Sequence, residues 1–186
     1  MHERPRHRPR RVTGTLSGSL ALLLLSCVLS GCAAPEAPTT QGPPTPALSQ
    51  EQRDAVAFED LYTRYVDLPL DEETEDELRG LLTGRALESD LESLASDRAS
   101  GRRIVGKETF RRFSVTDRGD DPQSGEYMVA QACLDVGGTR FVDAGGTDVT
   151  PQREALLSLQ IKAVRVEGGD WRISDFVRND EVRACA

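Results

Sequence analysis

At Gly101 the hydrophobic rhythm of the chain changes, and that change limits the folds open to it. Before it, apolar residues recur every three or four positions; after it, they alternate. Ser49 and Gln52 have capping-box spacing. Phe58, Leu61, Tyr62, Tyr65 and Val66 then fall on one helical face. Asp67–Pro69 stops this helix, and Asp71 is expected to start a second. The run 71–77, DEETEDE, holds six acids in seven residues and suits the positive end of a helix dipole. It lacks the spaced Asp/Asn/Gly pattern of a calcium loop, so it reads as a solvated helix start. Leu78, Leu81 and Leu82 form the apolar side. Gly84 is expected to break or bend the helix, and Leu87, Leu91 and Leu94 continue the period.

Beyond Gly101 the expected strands are Ile104–Thr116, Tyr127–Asp135, Thr139–Asp143, Ala155–Glu167 and Trp171–Arg178. Arg118–Gly125 reads as turn chemistry. Three Gly-Gly pairs, at 137–138, 145–146 and 168–169, read as hairpin turns. In the last strand, simple alternation puts Trp171, Ile173, Asp175 and Val177 on one side. Helices followed by antiparallel strands indicate an α+β fold: a strongly bent sheet with helices across its concave face.

The folded part does not start at residue 1. Residues 1–31 have a basic beginning and then a ten-residue apolar run, Leu20–Leu29. This is the pattern of a secretory signal and is too short for a permanent membrane span. Leu29-Ser30-Gly31-Cys32 resembles the lipobox of bacterial lipoproteins. That resemblance implies removal of residues 1–31. It also implies that Cys32 becomes the N-terminus and carries fatty acyl chains, palmitate among them. Two chains suffice for stable membrane anchoring. The expected location is therefore the outer face of a cell membrane. Arg10-Arg11 leaves twin-arginine export open beside general secretion, although its flanking residues fit that signal poorly. Residues 32–48 join the lipidated Cys32 to a tether with five prolines between Ala33 and Leu48. Such a segment favours an extended form. The folded domain is expected over 49–186.

Removing the leader changes the chemistry available. The chain has 23 basic and 31 acidic residues, a formal charge of −8. Residues 1–31 hold five arginines and one glutamate, leaving 18 basic and 30 acidic residues in 32–186, a charge of −12. That charge argues against nucleic-acid binding through phosphates. Both histidines, His2 and His7, leave with the leader. Histidine triads, Cys–His dyads and histidine metal sites are thereby excluded from the mature chain. No metal or cofactor is expected.

Cys27 leaves with the apolar run and Cys32 takes the lipid. Cys133 and Cys185 remain, and two leftover cysteines outside the cytoplasm usually pair. The bond would tie the C-terminus to a central strand, and loop entropy assigns it about 4 kcal/mol. A free thiol or a metal pair is the alternative. The former lacks a histidine for activation, and the latter lacks ligands.

The order of elements resembles the NTF2-like (SnoaL-like) cone, and more narrowly small cone-bearing lipoproteins of high-GC Gram-positive bacteria. The resemblance covers about 49–186. The residues that carry it are Cys32, Ala132-Cys133-Leu134-Asp135, Gly168-Gly169-Asp170-Trp171-Arg172-Ile173 and Cys185. It implies a non-catalytic module that binds a small apolar ligand or an envelope protein partner through cone or sheet, with the oligomeric state left open. Cavity fill separates the two: a filled cone favours docking and an open apolar one a ligand.

Related cones also do Asp/Tyr general acid–base chemistry on small hydrophobic substrates, which makes an enzyme the alternative. Its candidates here are Tyr62, Tyr65 and Asp175, with Trp171 lining the same pocket. Asp135 and Asp143 flank glycine turns, where Asp serves the backbone. Tyr62 and Tyr65 are expected to pack helix on sheet with their hydroxyls at the rim.

Overall fold

A computed structural model describes residues 47–186. The leader, Cys27, Cys32, both histidines and nearly all of the tether lie outside the described residues. No helix among the described residues is long and apolar enough to cross a membrane.

Helix α1 spans Gln50–Val66. Ser49 Oγ accepts from Gln52 N–H, and the Gln52 side chain accepts in return from Ser49 N–H, which closes a capping box. Helix α2, Glu75–Leu81, starts four residues later than the acidic run suggests. The cause is a second capping box, in which Thr74 Oγ1 accepts from Glu77 N–H and Glu77 Oε2 accepts from Thr74 N–H at 2.9 Å. Glu75, Asp76 and Glu77 occupy the first turn, whereas Glu73 is left outside the helix. Helix α3, Gly84–Ser100, ends on Gly101 at φ 68, a left-handed cap. Between α2 and α3 the chain extends, and Thr83 N–H donates to Ile173 O at 2.8 Å.

The expected first strand is two strands. Strand β1, Arg103–Gly106, pairs with β4, Thr139–Val142, in a separate ribbon. Strand β2 runs Thr109–Asp121, through most of the segment read as turn; the reversal is confined to residues 122–124. Strands β3 (Gly125–Asp135), β5 (Leu156–Arg165) and β6 (Trp171–Arg178) complete an antiparallel sheet in the order β2-β3-β5-β6. Gly168 and Gly169, at φ 101 and 92, make the β5–β6 hairpin. The other two Gly-Gly pairs turn the chain into and out of β4 and do not join paired neighbours in this sheet. A short 3-10 helix, Asp180–Val182, follows β6.

Bulges bend the sheet. Strand β2 carries two, at 111–114 and 115–117, and β6 carries one at Ser174. The first places Arg112 at φ 57, a costly conformation for a non-glycine residue. As a result Phe110, Phe113 and Val115 all pack against the core. The β6 bulge overturns the expected alternation. Trp171 and Ile173 pack inward, but beyond Ser174 it is Phe176 that joins the core while Val177 is exposed. Asp175 stands opposite Lys162, outside the core row Ile161–Phe176.

The concave side is floored by small residues. Ala130, Ala132 and Ala163 are fully buried in the middle of β3 and β5. Helix α1 drops Phe58 and Tyr62 onto this floor, and α2 adds Leu78. Tyr62 meets Phe110 at 4.7 Å and Phe113 at 5.7 Å between ring centroids, and Phe58 meets Phe113 edge-on at 5.2 Å. Tyr65 stacks on Phe176 at 4.9 Å. Six of the chain's nine aromatic residues thus form one cluster.

On the opposite face Cys133 and Cys185 are joined, with a Cα–Cα distance of 4.8 Å. Cys185 N–H also donates to Ser158 Oγ, and Asn179 Nδ2 to Gln160 Oε1. The C-terminal segment is therefore laid across β5.

Two glycines test this packing by substitution. A Cβ on Gly106, at φ 104, would sit 2.1 Å from Gly138 O, so Gly106→Ala lowers unfolding free energy by about 2 kcal/mol or more. Gly80→Ala, in the last turn of α2 and with nothing within 4 Å, raises it by up to about 0.5 kcal/mol. Urea unfolding checks both; a neutral Gly106→Ala would refute the close-approach argument. Replacing Cys133 and Cys185 by alanine costs about 3–4 kcal/mol, read in the same assay without reductant.

Candidate functional site

The four pocket candidates do not form one site. Asp175 lies on the edge strand and pairs with Arg85, Nη2 to Oδ2 at 2.5 Å. It is beside no tyrosine in that pair. The Ser174 bulge displaced it from the face on which strict alternation would have placed it. Trp171 packs at the other end of the core, under the Arg165 guanidinium at 4.4 Å from the ring centroid. Its indole Nε1 is buried without a hydrogen-bond partner.

Tyr62 and Tyr65 do stand together. Helical spacing of three sets their rings 6.4 Å apart and nearly parallel. Neither hydroxyl is at an exposed rim as expected. Tyr62 is 1% exposed and its hydroxyl has no partner. Burial and the nearby Glu108 carboxylate push its pKa far above the ordinary phenol value. The Tyr65 hydroxyl donates to Asp90 Oδ2 at 2.8 Å. Burial first, then Asp90, raises the Tyr65 phenol as well.

The carboxylate that meets the α1 tyrosine pair is therefore Asp90, on α3. Two further acids act on the same phenol: Glu73, left outside α2 by its cap, and Glu108, in the link between β1 and β2. All three carboxyls titrate high because burial disfavours their charge. For Glu73, burial followed by Asp90 and Glu108 raises the pKa from 4.5 to about 7, against the opposing pull of Arg98. Glu73 also opens to a cleft of about 310 Å³ with Leu70, Leu94 and Ile104 in its lining.

Sequence reasoning missed Asp90, Glu73 and Glu108. The available signal was Thr74-x-x-Glu77, a capping box that begins α2 at Glu75 and separates Glu73 from the solvated run. Asp135 and Asp143 behave as expected: Asp135 Oδ1 accepts from Gly137 N–H at 2.9 Å, and Asp143 Oδ1 accepts from Gly145 N–H at 2.8 Å.

Chemically, the surroundings of Tyr65 offer two neutral phenols and three acids whose charge is poorly solvated. Such groups can share protons or receive a positive charge. No described group of three or more His, Cys, Asp or Glu residues is close enough to hold a metal ion.

No family model matches the chain, and no curated protein matches it. Among solved structures it is similar to the intermembrane space region of the chloroplast protein ARC6. The TM-score is 0.50 at 17% identity, over 72% of this chain and 98% of that one. A likeness at that identity concerns the fold alone, an α+β arrangement of helices on antiparallel strands.

The raised carboxyls fix a sign for pH dependence. Each binds its proton more tightly folded than unfolded, so stability falls as pH rises from the unfolded pKa through the folded one. For Glu73 that window runs from 4.5 to about 7. Urea midpoints should be higher at about pH 5 than at about pH 8, and Glu73→Gln should reduce the difference. A variant with the unaltered slope would show that Glu73 does not contribute.

Proposed function

We propose that the chain is an extracytoplasmic lipoprotein, anchored through Cys32, whose domain is an NTF2-like cone acting without catalysis by docking an envelope protein. One observation carries the choice of docking over an enclosed apolar ligand: the concave interior is occupied by the protein's own rings. Phe58 and Tyr62 are almost fully buried on the alanine floor, and Phe110, Phe113 and Phe176 close around them. An apolar guest would have to displace this cluster, which packing energetics disfavour.

The joined Cys133 and Cys185 support an oxidising location. The Leu-Ser-Gly-Cys ending of the leader supports the anchor. A bent, bulged sheet under three helices supports the cone. The convex face of the sheet beyond the C-terminal segment is the surface left for a partner, bearing Val129, Gln131, Lys162 and Val177 across three strands. The enzyme alternative loses its sequence-based acid, since Asp175 pairs with Arg85.

The test is crosslinking in intact cells through photoreactive residues at Gln131 and Val177. One discrete adduct, lost when Val129 and Lys162 are changed to glutamate, is the expected result. A ladder of unrelated adducts, or the same adduct from a site on the tether, would count against docking by the sheet. Intact-mass analysis that finds no acyl mass on Cys32 would remove the anchor.

A further inference from the structure

The end of the chain is held to the sheet by little besides one sulfur–sulfur bond. Asn179 N–H still extends the β5–β6 ladder, donating to Ser158 O at 2.9 Å. Beyond it, residues 180–186 lie on the convex face. Among the described residues their only hydrogen bond to β3 or β5 runs from Cys185 N–H to Ser158 Oγ, at 3.2 Å. Their other bonds are local: Glu181 N–H to Asn179 Oδ1, Arg178 Nε to Asp180 Oδ1, Val182 N–H to Asn179 O and Ala186 N–H to Arg183 O. Of these seven residues only Ala184 is buried. Arg183 is held at φ 46, a costly conformation for a side chain with a Cβ. Ordering such a segment costs more conformational entropy than one hydrogen bond and one small buried side chain return. The bond from Cys185 to Cys133 supplies the difference.

A second observation concerns the chemistry of that bond. The two sulfurs are not equivalent. Cys133 is fully buried, whereas Cys185 is half-buried, so an incoming thiolate meets Cys185 first. Arg111 stands directly opposite Cys133 in the β2–β3 register. Side chains so paired leave the same face of a sheet with about 5 Å between their Cβ atoms. Arg111 is exposed, and among the described residues its side chain makes no hydrogen bond or ion pair. An unpaired cation at that position favours Cys133 as a thiolate, which makes it the better leaving group.

We propose that the Cys133–Cys185 bond is a reversible latch, opened by a dithiol reductant with Arg111 stabilising the departing sulfur. A thiolate of the reductant attacks Cys185 Sγ. The S–S bond breaks, a mixed disulfide forms on Cys185, and Cys133 leaves with the electron pair as a thiolate. The second thiol of the reductant then loses its proton and attacks its own half of the mixed disulfide, releasing Cys185. Two electrons pass to the cysteine pair and the dithiol becomes a disulfide. Of its two protons, one ends on Cys185 and the other goes to solvent. Residues 180–186 then lift, baring Cys133 and Ser158 beside the docking surface. That this uncovered strip regulates docking rests on the function proposed above; opening of the latch does not.

The experiment follows the purified chain with dithiothreitol as the probe, using alkylation and mass measurement for the rate of reduction and hydrogen exchange for the consequence. Arg111→Gln should slow reduction about fivefold, and Arg111→Lys should restore most of the rate. Amides of 180–186 should exchange about tenfold faster or more after reduction, and equally fast in Cys185→Ser, while α1 peptides keep their protection. Unchanged exchange at 180–186 would overturn the latch. Loss of α1 protection at the same time would overturn it too, because the bond would then hold the whole fold. Reduction of Arg111→Gln at the original rate would remove Arg111 from the mechanism. No partner takes part in these measurements, so a failed crosslinking experiment leaves them standing.

Discussion

The rest of the structure depends on how aromatic rings from α1 and β2 seat on a floor of alanines. A flat sheet could not hold them. Ala130, Ala132 and Ala163 provide depth in the centre, and the bulges in β2 and β6 fold the margins upward. The positive φ at Arg112 is the local cost of this shape. It is offset because the same bulge lets Phe110 and Phe113, three residues apart, both reach the core. Curvature and filling are thus mutually dependent. Large side chains at the three alanine positions would exclude Phe58 and Tyr62, and a regular β2 would turn one of its two phenylalanines to solvent.

That solution brings polar atoms inward with the rings. Tyrosine carries its hydroxyl wherever its ring is buried, and of the two tyrosines on α1 Tyr65 finds a partner and Tyr62 does not. Phenylalanine at position 62 would have served packing equally well. The α3 and linker acids sharpen the contrast, because each loses solvent without gaining a close cation. A chain selected for stability alone has easier choices at these positions, and departures of this kind concentrate where a surface has work to do.

Much of the architecture was legible in the residues. The Ser49/Gln52 box, the apolar face of α1, the change of rhythm at Gly101, the Gly168-Gly169 hairpin and the two leftover cysteines all report local chemistry, which sequence carries directly. Bulges are different. An inserted residue such as Ser174 or Arg112 has no compositional mark, yet it reverses the facing of everything after it. Asp175 and Val177 were misplaced for that reason alone. The long 104–116 run concealed a break at residues 107–108, because Gly106 crosses against Gly138 and sends β1 to a different partner. The candidate site was harder still. Asp90, Glu73 and Glu108 are separated in sequence and unremarkable in type; only the tertiary arrangement gives them a common environment.

The two faces of the sheet are secured by different means. Helices and rings hold the concave face through apolar burial, which responds weakly to pH or salt. On the convex face, the C-terminal segment is tied over β5 by Cys185 and by hydrogen bonds from Asn179 and Cys185. Cys133 sits on the inner strand β3, so a covalent restraint at the chain terminus acts near the middle of the sheet. Opening it would free the last residues and bare Ser158 and Gln160 while leaving the aromatic cluster in place. The convex face is accordingly the one whose exposed surface depends on redox conditions, and Glu73, Asp90 and Glu108 are the groups whose burial makes their charge responsive to pH. Neither control disturbs the ring cluster that gives the domain its shape.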